Sequence, residues 1–425
     1  MRTVPAIVVA SLLAGLAAGS STAAEPAATA SVRPGPALAD PTPRLRELLR
    51  ELDAFGQVVK PPSGLLKYDY LVPSGPFHQL FDWDAYFMGV ALSYERKGRY
   101  LASTVRNFLE YTGSPTSSVN GYVPRIIAPE GFWSLPEMCK PFLAQMTYLA
   151  SESMGNYWWV RPHYDKLART LYFWENSRRT PDGLFVWFNG DESGVDNTPA
   201  VSWEPSEVTE GVDLACYLVR EYRAMARIAR ALDKRDDEEK YAKQAENLTR
   251  RINDLMWSSA DAMYFNIDRR TSQHVRVKAW VSFVPLWAGI APPDRAKATI
   301  ERHLLNPQEF WGPFGLRTLT PDEPKYTPTK GYWKGPTWVV SSYMMSHGLL
   351  RYGYRDRAIE EAKRVTALLV RDLEATGGMN ENYDPDTGAP AAGTNFLSWN
   401  LLALHWVDEL ESGRVPIALD GPGAR

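Results

Sequence analysis

The sequence predicts an all-α fold: six antiparallel helix pairs closed into an (α/α)6 toroid, with a layer of long loops over its active end. Three observations predict it. Apolar residues recur at helical spacing through most of residues 44–412. The helical stretches come in twos joined by short breaks, and short connections make antiparallel neighbours. The stretches between pairs are long and rich in Gly, Pro and aromatics, a composition that disordered segments lack.

The helical period is read directly. Tyr164, Leu167, Leu171 and Trp174 are spaced three, four, three. Leu214, Leu218, Met225, Ile228 and Leu232 carry the same period over 209–232. Tyr241, Ala245, Leu248, Ile252 and Leu255 resume it after the charged break at Asp233 to Glu239, and Ala358, Ala362, Val365, Leu369 and Leu373 repeat it near the end. Helices are expected near 44–55, 84–98, 99–112, 141–155, 161–178, 209–232, 238–257, 278–289, 292–305, 333–352, 355–375 and 394–410. No repeat of fixed period runs through them, which excludes a regular solenoid. Loops are expected at 61–83, 113–137, 179–208, 306–332 and 376–393, stacked as one layer.

The ends read differently. Arg2 followed by the apolar run Val4 to Leu16 and the small residues Thr22-Ala23-Ala24 has the pattern of a secretory signal over 1–24, and export to the periplasm or beyond is the expectation. The run is too short to span a membrane, and no membrane anchor is expected. Residues 25–43, rich in Pro and Ala, read as a flexible leader, and 413–425 as a disordered tail. Cys139 and Cys216 each sit beside apolar helical sequence and read as buried free thiols.

With 44% apolar and 23% charged residues and a net charge of -3, the chain has no basic patch for nucleic acid. Aromatics reach 12%, with 15 Trp. Sugar-binding clefts use such residues as flat platforms with a polar edge. The six His show no metal-ligand spacing, so neither metal nor cofactor is expected.

Two loop segments carry carboxylates in turn-prone sequence: Glu192-Ser193-Gly194-Val195-Asp196-Asn197-Thr198-Pro199 and Met379-Asn380-Glu381-Asn382-Tyr383-Asp384-Pro385-Asp386-Thr387-Gly388. Each carboxylate alone is an ordinary turn or cap residue, and Asp384 and Asp386 are assigned to the turn. As a pair, Asp196 and Glu381 are the minimal kit for cleaving a glycosidic bond. One carboxyl, protonated, donates to the leaving oxygen; the other, ionised, activates water. Phe185, Trp187, Phe188 and Trp203 around Asp196 supply the apolar surroundings that raise an acid's pKa.

Four segments, in order and separated by helices, resemble a clan of inverting (α/α)6 glycosidases. That clan contains trehalases, glycoside hydrolase 63 α-glucosidases and mannosylglycerate/glucosylglycerate hydrolases. The segments are Phe81-Asp82-Trp83-Asp84-Ala85-Tyr86, Asp196-Asn197-Thr198-Pro199, Tyr332-Trp333-Lys334-Gly335-Pro336-Thr337-Trp338, and Glu381 with Tyr383 and Asp384-Pro385, followed by Phe396-Leu397-Ser398-Trp399. The resemblance covers roughly 60–410. It implies Asp196 as general acid and Glu381 as general base, with Trp83, Asp84, Lys334, Trp338 and Trp399 holding the reacting sugar and Phe81, Tyr332 and Trp333 beside it. Asn120, in a loop that borders the pocket in the family, together with Gln145 and Trp203, completes the expected binding set. Arg125 is a candidate for facing a charged aglycone.

The chain departs from the trehalases, which carry Arg where Pro76 stands and another after the acid segment, where Thr198-Pro199-Ala200 stands here. Lys334 replaces the family's Arg, a point charge for a bidentate fork. The resemblance therefore implies a small α-glucoside or α-mannoside as substrate and an inverting mechanism, with the two carboxyls about 6.5–9.5 Å apart. Two other classes share the scaffold. Sugar epimerases and isomerases use His pairs, and His163, His274, His303, His347 and His405 stand outside the aromatic loops. A non-catalytic sugar-binding toroid would have lost one carboxylate, and both are present.

Overall fold

The computed structural model describes residues 38–113 and 121–414, which fall in one compact unit, Leu38–Arg425. The expected signal, most of the leader, Asn120 and nearly all of the expected tail lie outside the described residues. Each expected helix has a counterpart, and the neighbours of the inner ones close a ring. Asp82–Tyr94 packs on Leu143–Met154, which packs on Val212–Ala231, then Val284–Trp287, then Val339–Arg351, then the 3-10 segment Ser398–Leu404, which returns to Asp82–Tyr94. Outside run Thr42–Glu51, Gly98–Glu110, Tyr164–Ser177, Arg235–Leu255, Pro293–Thr299 and Arg355–Thr376. This is the (α/α)6 toroid.

Inner and outer helices are built from different sequence. Arg235–Leu255 buries only Tyr241, Ala245, Leu248 and Ile252, one stripe at helical spacing. Asp82–Tyr94 buries eleven of its thirteen residues and has no polar face to give it a period. Each Leu or Ile of a buried stripe contributes about 1.5–3 kcal/mol relative to exposure. An exposed helix pair such as Lys297–Glu301 contributes at most about 0.5 kcal/mol. The toroid therefore stands on its stripes and its aromatic centre, not on its surface ion pairs. Among the described residues no helix is long and apolar enough to cross a membrane.

Several boundaries differ from expectation for local reasons. The break before Arg235–Leu255 is only three residues, because Asp236, Asp237 and Glu238 fit the first helical turn, where the dipole favours acids. The expected helix 333–352 begins at Val339, because Gly335 and Pro336 keep Trp333 to Trp338 out of helix. The expected helix 278–289 is a 3-10 turn, Trp280–Phe283, leading into Val284–Trp287. The loop layer is not all loop. It holds short antiparallel ladders: Leu80–Phe81, Pro124–Ala128 and Gly131–Met138 form one three-stranded sheet, and Asn382–Tyr383 pairs with Pro390–Ala392. The two-residue strands are too short to show a period, and Pro124–Ala128, buried throughout, and Gly131–Met138, interrupted by Pro136, do not alternate, which is why they read as loops. Cys139 and Cys216 are buried free thiols.

Candidate active site

The inner helices begin beneath the loop layer, and the expected site residues gather at those ends. Asp82 and Asp84 lie in the first turn of Asp82–Tyr94, where a helix N-terminus favours carboxylates. Lys140 stands just before Leu143–Met154. Trp338 precedes Val339–Arg351, and Ser398 and Trp399 open the last inner segment.

Four indoles form the wall. Trp333 and Trp338 stack face to face with ring centroids 3.8 Å apart. Trp83 lies 6.0 Å from Trp333 and 5.6 Å from Trp399, and Trp399 lies 5.8 Å from Trp338. All four are buried. Phe81, half-buried, packs edge-on against Phe77, which packs on Phe396.

Three carboxyls meet at this wall. Asp84 accepts a hydrogen bond from Ser398 Oγ at 2.7 Å, and burial pushes it up to about 7. Glu381 accepts from the Tyr332 hydroxyl at 3.1 Å. Its burial, and then the neighbouring Asp84 and Asp196, push it up to about 8 against the opposing Tyr332 bond. Asp196 is pushed up to about 6, again by burial, while Arg125 and Lys140 pull it down and Asp191 pushes it up. Its Oδ1 is buried without a hydrogen-bond partner. Asp84 and Asp196 both act on Glu381, so its titration is coupled to theirs. Near neutrality the cluster holds at least one proton, and a pocket with both a protonated and an ionised carboxyl is the state that acid–base chemistry at two atoms needs.

The backbone is shaped to deliver these groups. Glu381 sits at a ladder end, its N–H shared between the carbonyls of Ala392 and Gly393 at 2.8 and 2.9 Å. A Cβ on Gly393 would meet Glu381 Oε2 at 2.8 Å, so only glycine lets this carboxyl lie against the turn. Tyr332 has φ 59°, a left-handed conformation costly for a bulky residue, and Trp338 Nε1 donates to its carbonyl at 3.0 Å. In this conformation the Tyr332 hydroxyl reaches Glu381. Gly194 (φ 76°) turns the Asp196 loop where a Cβ would lie 3.0 Å from both Trp83 and Lys140. Asn197 ties that loop to the next: its Nδ2 donates to the Gly331 carbonyl at 2.9 Å, and its Oδ1 accepts from Trp333 N–H at 3.0 Å.

Other expected residues take different places. Trp203 is half-exposed, and its Nε1 donates to the Asp196 carbonyl at 2.6 Å, so it steadies the loop. Gln145 lies one layer down. Its Nε2 donates to the Pro141 and Tyr217 carbonyls, and its Oε1 accepts from Arg220, so its amide is spent within the helical wall. Lys334 is half-buried and is held through its backbone to Thr327 and Gly331. The cations that act most on Asp84 and Asp196 are instead Lys140 and Arg125. Lys140 is fully buried, its Nζ 3.3 Å from both oxygens of Asp82 and 5.3 Å from the Trp83 ring centre. Sequence reasoning passed over Lys140, Asp82 and Asp191. The available signal was a lone charge, Lys140, inside the apolar run Met138-Cys139-Lys140-Pro141-Phe142. Asp384 serves its turn as expected, accepting from the N–H groups of Asp386 and Thr387 at 2.9 Å, whereas Asp386 ties that turn to Tyr326 and Arg317. Three of the described histidines pair with glutamates, His303 with Glu309, His347 with Glu409 and His405 with Glu95, and His78 beside Phe77 pairs with Glu130. Among the described residues no cluster could hold a metal ion.

Known proteins share this fold. A solved mannosylglycerate hydrolase of glycoside hydrolase family 63, from Thermus thermophilus and in complex with glucose, superposes with a TM-score of 0.66 at 21% identity, covering 86% of this chain and 99% of that one. A mannosylglycerate hydrolase of Rubrobacter radiotolerans is 30% identical over 188 residues, 44% of this chain and 41% of the relative. A probable mannosyl-oligosaccharide glucosidase of Schizosaccharomyces pombe is 25% identical over 231 residues, 51% of this chain and 28% of the relative. The matched region thus spans less than half the length of these two relatives. Residues 78–399, which include the Trp83–Asp84 pair, Asp196, Glu381 and Trp399, match the family described as mannosylglycerate hydrolase MGH1-like glycoside hydrolase domain, and the chain belongs to that family.

Proposed function

We propose that the protein is an inverting glycosidase for a small α-glucoside or α-mannoside, with Asp196 as general acid and Glu381 as general base. The observation that carries the reading is the cluster of Asp84, Asp196 and Glu381, raised by burial against an indole wall, with Asp196 and Glu381 on different loops. Asp196 protonates the leaving oxygen. Glu381 takes a proton from a water on the far face of the sugar ring, while Tyr332 orients its carboxylate. Asp84, fixed by Ser398, and the Trp83 and Trp399 edges hold the ring. Burial leaves Glu381, at about 8, more basic than Asp196, at about 6, the reverse of the order these roles need. The reacting form carries the proton on Asp196 and leaves Glu381 ionised. A water donating to Glu381 favours its ionised form and shifts the shared proton.

The test is hydrolysis of mannosylglycerate, glucosylglycerate, trehalose, kojibiose, nigerose and maltose, with the released anomer read by proton NMR. The choice of mannosylglycerate follows the names of the relatives. Release of the β-anomer from an α-linked substrate is the expected result. Release of the α-anomer means retention and removes Glu381 as a base.

The loop tie gives a second expectation. Asn197→Ala leaves the Gly331 carbonyl and Trp333 N–H without partners, a cost of about 1–3 kcal/mol each when buried. Asp196 then loses its place, and kcat is expected to fall about tenfold or more with a smaller change in KM. Steady-state kinetics on the substrate identified above checks this; an unchanged kcat would show that the tie does not position the acid.

A further inference from the structure

We propose that Asp191 is a positioning residue for the reaction: by pairing with Arg125 it restrains the guanidinium beside Asp196, so that Asp196 keeps the proton it gives to the leaving oxygen. The inference rests on the reading of Asp196 as the acid.

The geometry is compact. Asp191 and Asp196 belong to one turn, in which Gly194 N–H donates to the Asp191 carbonyl at 2.9 Å. Asn189 caps the short helical turn Gly190–Ser193 by accepting from Glu192 N–H at 2.8 Å. Arg125 comes from the strand Pro124–Ala128. Its side chain is 8% exposed, with Nη1 2.9 Å from Asp191 Oδ2. Arg125 Nε and Asp196 Oδ1 are both buried without hydrogen-bond partners. A guanidinium in this position draws a neighbouring carboxyl toward its ionised form, and an acid that is ionised cannot donate. Asp191 supplies the opposing charge.

The other groups facing Asp196 are accounted for in the same way. Lys140, from the segment just before a neighbouring inner helix, is paired with Asp82. Glu381, Tyr332 and Asp84 lie across the pocket, and the first two are hydrogen-bonded to each other. The cations near the acid are thus Arg125 and Lys140, each held by its own aspartate. Asp191, at 29% side-chain exposure, is the one of these two partners that reaches solvent. Asn at this position removes the charge and keeps an amide oxygen that can accept from the buried Arg125 guanidinium.

The experiment uses the full chain with 13C-labelled aspartate carboxyls, the Asp196 signal being assigned by its loss in Asp196→Asn. In Asp191→Asn the Asp196 midpoint is expected to move down by about one pH unit or more. Because Asp196 is the less basic of the pair, it sets the acidic limb of kcat/KM, which should follow it by the same amount while the plateau falls about tenfold per pH unit, and Asp191→Glu should restore both. Asp191→Ser serves as the second variant should Asn fold poorly. An Asp196 midpoint that stays in place or rises overturns the proposal. So does a kcat/KM limb that moves while the Asp196 signal does not. The titration needs no substrate, so the two readings fail separately. A shifted midpoint in a protein that hydrolyses no glycoside keeps the action of the pair on Asp196 and removes the glycosidase. An unshifted midpoint in an active enzyme removes the pair and keeps the glycosidase.

Discussion

Asp196→Asn is expected to lower kcat/KM on an unactivated α-glycoside by about 10²- to 10⁴-fold, the usual contribution of a positioned general acid. A sugar or glycerate alkoxide is a poor leaving group and needs the proton as the bond breaks. A nitrophenolate does not, so the same variant should lose far less on a nitrophenyl α-glycoside. This difference separates a chemical role from a structural one. Asp196 makes few bonds that Asn would break: its Oδ1 has no hydrogen-bond partner, and its loop is held by Trp203 on the Asp196 carbonyl and by Asn197 on the next loop. The fold should therefore survive the change. Equal losses on both substrates, measured by steady-state kinetics, would show that Asp196 does not act on the leaving group.

Glu381→Gln is expected to abolish hydrolysis of both kinds of substrate, because water must be activated whatever leaves. It is also expected to stabilise the protein, and the gain should depend on pH with a definite sign. Burial, with Asp84 and Asp196 nearby, raises Glu381 from the ordinary 4.5 to about 8 in the folded state. Between these values the folded chain binds the proton more tightly than the unfolded chain. The contribution of Glu381 to stability is therefore fully present below about 4.5 and is lost as the pH rises to about 8. Gln carries no charge at any pH. The variant should match the wild type near pH 4 and exceed it by about 2–4 kcal/mol at pH 9, an order-of-magnitude figure from the size of the shift. Denaturant melts at the two pH values check this. A gain at pH 4 equal to that at pH 9 would mean that the carboxyl's charge is not what costs stability. The wild type thus carries an ionisable group in an unfavourable place, a trade of stability for chemistry common at active sites.

How much of this was legible in the sequence follows from the kind of signal each element leaves. Outer helices such as Arg235–Leu255 and Arg355–Thr376 announce themselves, because one face is wet and one is dry. Inner helices such as Asp82–Tyr94 are dry on nearly every face and are found from apolar composition rather than period. The ladders over the site, two to eight residues long, left no period at all. At the site, Asp196, Glu381, Trp83 and Trp399 stand in motifs whose order is visible. Gln145 looks equally available, yet its amide is consumed by Pro141, Tyr217 and Arg220. A side chain's hydrogen-bond partners come from other helices, and no local spacing records them.

The sequence by itself determined the paired helices of the toroid, which depend on residue type and near-neighbour spacing, and it pointed to the two carboxylates and the tryptophans beside them through motifs whose order resembles a known clan. Only the tertiary structure decided which charges surround the acid. Arg125 comes from a strand, Lys140 from the segment just before an inner helix and Glu381 from a loop 185 residues after Asp196. Burial then turns their proximity into proton affinity. In a low-dielectric pocket, removing water from a carboxyl and setting a guanidinium beside it are opposing effects of similar size. Their balance depends on positions in space that linear order does not contain.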